Sequence, residues 1–120
     1  MSSVLSNYGG NLGLGSIFGD SCYLALHLAD PTVLGNPATE MAGGGYIRRL
    51  MHLSSPSGRS TANTNGFRFT GLPASDVTYL AGWDAISGGN MLGSIELPDT
   101  ITVTESGQFI VEVGDVAFSL

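Results

Sequence analysis

The sequence predicts an all-β fold, an antiparallel β-sandwich or jelly roll of about eight short strands with an irregular N-terminal arm. Three observations carry the prediction. Apolar residues alternate with polar ones in short runs, as Phe67 and Phe69 do against Arg68 and Thr70. Eighteen glycines in 120 residues, about twice average usage, fall among Ser, Thr and Asn between those runs, where turns belong. No stretch shows a convincing amphipathic helical repeat, and no fixed internal period points to a solenoid or propeller.

The arm spans residues 1–20, MSSVLSNYGGNLGLGSIFGD, where Val4, Leu5, Leu12, Leu14, Ile17 and Phe18 stand among glycines and serines. That setting favours neither a stable helix nor a regular strand. Apolar side chains in such an arm need a surface to cover, either the chain's own sheet or a neighbouring subunit. Residues 21–120 form a single β-sandwich domain. Its first strand is the apolar run CYLALHL at 22–28, with a buried helix as the rival reading, and Asp30-Pro31 ends it with a turn signal. Residues 29–45 carry two prolines and four glycines with no sustained period, and read as one long surface loop of the functional or interfacial kind.

YIRRLMHL at 46–53 reads as the next strand, and SSPSGRSTANTN after it as a connection or a weakly apolar edge strand. Asn65-Gly66 is a type I′ hairpin dipeptide. The strand that follows is stopped at Gly71-Leu72-Pro73. In the next run Val77, Tyr79, Ala81 and Trp83 fall on one face, with Trp83 as a core anchor. Ser87-Gly88-Gly89-Asn90 then turns the chain back into MLGSIEL as a hairpin. Three further strands end the chain, around Ile101 and Val103, around Phe109, Val111 and Val113, and around Val116, Phe118 and Leu120.

Composition removes several function classes. Hydrophobic residues make up 42% and charged residues 12%, the reverse of a disordered chain, and a single core is expected at this length. The four basic residues are all arginine, so a lysine Schiff base and a phosphate-loop lysine are both impossible. A net charge of −6 argues against nucleic acid as a partner, whose phosphates require cations. The glycine-interrupted start offers neither a signal peptide nor a membrane span. Cys22 is the single cysteine, which excludes an internal disulfide and a thiolate zinc site, and it reads as a small buried hydrophobe.

The constellations of residue types suited to chemistry are weak. His27 and His52 lie on expected strands outside any G-x-S-x-G elbow, and a strand histidine is more often a satisfied structural residue than a base. His27 and Asp30 point to opposite faces of a strand, and Asp30 before Pro31 has the simpler role of opening a turn. Asp and Glu are dispersed singly, so no carboxylate pair for glycoside hydrolysis stands out. Gly13-Leu14-Gly15-Ser16-Ile17-Phe18 imitates a dinucleotide fingerprint but has Phe18 where its third glycine belongs. Adjacent Arg48 and Arg49 face opposite ways, one of them placed to cover an apolar surface or to pair with an acid at a subunit contact. The reading is of a non-enzyme without cofactor or metal. Its candidate interface residues are Val4, Leu5, Leu12, Leu14, Ile17 and Phe18 of the arm, Val33 and Leu34 of the loop, and Arg48 and Arg49.

Three blocks carry a resemblance: YLALHLADP at 23–31, GGGYIR at 43–48, and Gly82-Trp83-Asp84-Ala85 with Gly88-Gly89-Asn90. In this order they resemble small virion structural proteins of tailed bacteriophages, of the tail-fibre and minor-tail-like family, and the likeness runs from about residue 22 to the C-terminus. The glycine-rich arm departs from the more helix-like or simpler leaders of those proteins. The resemblance implies a structural role in the virion, with other virion proteins and copies of the chain itself as partners, and it carries across no site residues. Two alternatives accompany it, a capsid head decoration protein that stabilises the lattice and a carbohydrate-binding or host-adhesion module. The second is motivated by Tyr79, Trp83 and the Asn/Thr-rich segment, and would make a host glycan the partner.

Overall fold

The structure is a computed structural model, and residues 6–120 are described. Eight strands follow one helix. They are β1 (Ser21–His27), β2 (Arg49–His52), β3 (Ser60–Ala62), β4 (Phe67–Leu72), β5 (Ser75–Trp83), β6 (Met91–Val103), β7 (Gly107–Val111) and β8 (Ala117–Ser119). All pairings are antiparallel. A four-stranded sheet in the order β2-β1-β5-β6 faces two ribbons, β3-β8 and β4-β7, and the all-β, sandwich-like class is as expected. The main core lies between these layers: Cys22, Leu24, Leu26 and Leu80 from the sheet meet Phe69, Phe109, Val111 and Phe118 from the ribbons. Phe69 sits at its centre, stacked on Tyr46 and edge-on to Phe67 and Phe109.

Within the expected arm, residues 7–18 are not irregular. Asn7–Phe18 forms helix α1, capped by Ser6, whose Oγ accepts from the Gly9 N–H at 3.0 Å. Helix propensity opposes this, since each interior glycine costs about 1 kcal/mol relative to alanine. Packing explains it. A Cβ on Gly10 would overlap the Arg59 side chain, and one on Gly13 would overlap Leu120, so the glycines let the helix backbone approach β3 and β8 closely. Leu14 and Phe18 are then buried, Phe18 stacking on Phe118 at 4.3 Å, and Asn11 Oδ1 accepts the Arg59 N–H. Those two apolar residues cover the chain's own core. Val4 and Leu5 lie outside the described residues.

Four further expectations are corrected. Asn65-Gly66 is not a hairpin turn, because neither residue has the positive φ that a type I′ turn requires and β3 and β4 lie in different ribbons. Gly58-Arg59 instead takes positive φ at both positions, 59° and 62°, and closes the Ser57–Ser60 bridge. In β5 the face changes between Val77 and Tyr79. Val77 pairs with Ile101 but Tyr79 with Glu96, and the extra β6 residues around Pro98, which has no N–H to give, form a bulge. Val77 and Leu80 therefore enter the main core, while Tyr79, Ala81 and Trp83 face the other way. Finally, the segments expected as two strands around Leu92 and Ile101 are the single long strand β6, and β2 is only four residues because Tyr46 and Arg48 turn out of it.

Candidate functional site

The face of the four-stranded sheet away from the main core begins with β1 and β5, whose pairing sets Ala25 opposite Ala81 and His27 opposite Tyr79. Trp83 completes a small buried cluster with the two alanines. From the long loop Thr39 and Glu40 reach this face, whereas Met41 and Tyr46 pack against the main core. The loop is tied at one end by the Leu28 N–H to the Thr39 carbonyl and by the Met41 N–H to the Leu26 carbonyl, with Met41 buried. Asn36 caps the short 3-10 turn Pro37–Thr39 by accepting from the Ala38 N–H.

Beneath the loop lies a chain of polar groups whose donors and acceptors match throughout. The Trp83 indole N–H donates to His27 Nε2 at 3.3 Å. With that nitrogen an acceptor, the imidazole carries its proton on Nδ1 and donates to Thr39 Oγ1 at 2.7 Å, and Thr39 donates onward to the Asn36 carbonyl. His27 has no exposed surface, and burial lowers its pKa below the ordinary histidine value, opposed by the Glu40 charge and assisted by that of Arg48. It is a neutral, fully engaged ring.

Arg48 closes the site from above. Its Nε and one terminal nitrogen each lie 2.8 Å from an oxygen of Glu40, and the other terminal nitrogen donates to the carbonyls of Ala85 and Gly88 at 2.8 and 2.7 Å. The guanidinium carbon lies 4.1 Å from the centre of the Trp83 ring. Tyr46 adds a short bond of 2.5 Å from its hydroxyl to Glu40, while that hydroxyl accepts the Leu26 N–H. Burial pushes the Glu40 pKa up, but the hydrogen bonds from Arg48 and Tyr46 and the Arg48 charge outweigh it and hold the carboxyl below its ordinary value. The Tyr46 hydroxyl is pushed well above its ordinary range by burial and by Glu40. One ion pair thus joins the long loop, the segment before β2 and the β5-β6 turn.

A shallow cleft of about 510 Å³ opens beside this pair, between Tyr46, Ile47 and Ile86. Its charged groups already satisfy one another, and among the described residues no three His, Cys, Asp or Glu side chains gather as metal ligands. Cys22 is buried on the opposite face of the sheet, where burial raises its pKa to about 11 and keeps it a thiol.

The expected interface residues separate into two groups. Leu14, Phe18 and Arg48 are buried within this chain, and the acid that Arg48 meets is its own Glu40 rather than a neighbour's. Leu12 and Ile17 are exposed on α1, and Arg49 is partly exposed. Val33 and Leu34 are 99% and 89% exposed, at the tip of the loop. That tip is firmly built: Asp30 accepts the Thr32 N–H, as the turn reading expected, Thr32 takes φ 59° and accepts the Leu34 N–H, and the Asn36 N–H reaches back to the Pro31 carbonyl. Glu40, Tyr46 and Thr39 were not singled out from sequence. They lie on a loop without period, and nothing local marks them as partners of Arg48 and His27.

The family model for Podophage GP4 fiber I protein gp80 matches residues 15–119. No curated protein matches the chain.

Proposed function

From its membership of the podophage GP4 fiber I protein gp80 family, which makes this chain a structural protein of a bacteriophage virion, we propose that it is a tail-fibre-like or minor tail component working through subunit contacts. The observation that carries this reading is the loop tip. Two aliphatic side chains held almost wholly in water by a hydrogen-bonded turn form an apolar projection that only a partner surface would cover. Exposed Leu12 and Ile17 of α1 offer a second apolar contact. The groups capable of chemistry, by contrast, are engaged with one another: both nitrogens of His27, both oxygens of Glu40 and all three nitrogens of Arg48. This supports a role without catalysis. Trp83 lies buried under Arg48, which weighs against its use as a sugar-stacking platform.

Imaging of intact particles carrying a label on the C-terminus tests the proposal. Label confined to the tail, at the copy number of its fibres, is expected. Label spread over the capsid at lattice copy number would replace it with head decoration, and glycan binding by the purified chain, lost on replacing an exposed aromatic, would favour adhesion.

A further inference from the structure

The four-stranded sheet has two edges, and they end differently. Along β2 the outer hydrogen-bonding groups are occupied. The Asn65 side chain accepts the His52 N–H at 2.9 Å and donates to the Leu50 carbonyl at 3.3 Å, and the Thr64 N–H donates to the His52 carbonyl. Along β6, Met91 and residues 93–96 pair with β5 on one side, with a register shift at Leu92, and no strand among the described residues lies on the other. An unpaired edge of this kind is a template for another strand unless charge, proline or a covering loop blunts it. Residues 91–97 hold no Lys, Arg or proline; Glu96 is the one charge, and Pro98 follows only where the regular run ends.

The side chains along this edge are ordered by face. Gly93 and Ile95, opposite Gly82 and Leu80, belong with Leu97 to the row over the main core, and this row is only partly buried because the sheet stops here. Ser94 and Glu96, opposite Ala81 and Tyr79, form the exposed row. Val33 stands beside the edge, lining a cleft with Asp30, Thr32 and the Met91, Leu92 and Ser94 stretch.

We infer that residues 93–97 pair antiparallel with the same residues of a second copy about a two-fold axis at Ile95, continuing the sheet across both chains. The register follows from the side chains. Opposed residues in an antiparallel pair share a face, so the half-buried row of one copy must meet the half-buried row of the other. An axis at Glu96 would set two carboxylates against each other, and one at Ser94 would set Glu96 against Leu92. The axis at Ile95 sets Ile95 against itself, small Gly93 against Leu97, and Ser94 against Glu96, where a hydroxyl meets a carboxylate. It also brings Val33 of each copy beside the incoming strand. The contact is isologous and closed, as a two-fold dimer requires.

This deepens the reading of the chain as an assembling virion component and rests on it. The test is sedimentation equilibrium of the purified full chain from about 1 to 100 µM, a range in which a dimer of moderate affinity shows its mass action. A mass approaching twice 12.4 kDa is expected. Because Ser94 faces Glu96 of the second copy, Ser94→Glu should raise the dissociation constant about tenfold and Ser94→Lys should lower it by a similar factor. Unfolding curves of both variants establish that the exposed position leaves each chain folded. A monomer throughout the range, or a shift of both variants in the same direction, overturns the pairing; the latter is what an axis at Ser94 would give. Mass spectrometry of phage particles separates this from the parent reading: variant chains that stay monomeric yet enter particles at wild-type level leave the virion role standing without the dimer, and absence of the wild-type chain from particles removes the role itself.

Discussion

On one face of the four-stranded sheet Cys22, Leu24, Leu26 and Leu80 meet the ribbons through aliphatic and aromatic contact, whereas on the other Ala25, Ala81, His27 and Trp83 lie under a loop held down by an ion pair. Both faces exclude water. The first does so by area and shape, which are indifferent to pH and salt, and the second by polar groups that must all be matched before burial is tolerable. The difference has a structural consequence. Strand alternation is enough to build the first face, but the second exists only once residues 28–48 and the turn after β5 have closed over it. The same closure displays Val33 and Leu34, so the polar face serves as the footing of the proposed contact.

The largest effect that would sharpen this comparison is at Phe69. It is 1% exposed and touches three aromatic rings, so Phe69→Ala should cost about 4 kcal/mol in denaturant unfolding, within the usual range for a buried phenylalanine. That loss should be the same at neutral and mildly acidic pH.

Arg48→Met comes next. It leaves Glu40 with only the Tyr46 hydroxyl, and the carbonyls of Ala85 and Gly88 without their donor, so a loss of about 3 kcal/mol is expected from breaking one side of a largely buried pair. Adding Glu40→Gln should restore part of it, because the stranded charge is then removed. If the double variant is as unstable as the sum of its parts, the pair is not coupled and the comparison between the faces fails.

A pH titration separates the faces without mutation. His27 is held neutral below its ordinary pKa of 6.5, so the unfolded chain takes up its proton first, and the associated stability is present above 6.5 and lost as pH falls from there toward the folded value. Glu40, held below 4.5, adds its own loss only below that pH. His27→Gln can still accept from Trp83 and donate to Thr39, and should flatten the first phase while leaving the second. Persistence of the first phase in that variant would place the titrating group elsewhere.

How much of this was legible in the sequence follows from the same contrast. Alternation marked β4, β7 and β8 because Phe67 and Phe69, Phe109 and Val111, and Phe118 stand on one side of short strands with polar neighbours on the other. It failed at β5, where the bulge opposite Pro98 lies on another strand and leaves no trace near Val77. It failed at α1 as well, because Gly10 and Gly13 are chosen for the approach of Arg59 and Leu120, residues 49 and 107 positions away on the chain by their numbers. Asn65-Gly66 carried a local turn signal, yet Asn65 covers the edge of β2 instead. The site was legible in its isolated members. His27 reads as a satisfied histidine and Trp83 as buried, but the partners Thr39 and Glu40 sit in a loop whose register only the closed fold defines.

The smallest expected change in stability is at the outer surface of that loop. Val33→Ser with Leu34→Ser removes two side chains that are almost wholly in water, so unfolding free energy should move by no more than about 0.5 kcal/mol. The turn beneath them is built from Asp30, Thr32, Pro31 and Asn36, none of which is altered. Assembly should respond quite differently. Phage grown with the double variant should carry less of this chain per particle, measured by mass spectrometry against the major capsid protein, although the purified variant melts as wild type does. An unchanged copy number would show that the exposed tip is not a contact, and would move the search to Leu12 and Ile17 on α1. A variant that instead lost several kcal/mol would mean that the loop's outer side chains support the polar face after all, and the division between a displayed surface and its footing would have to be redrawn.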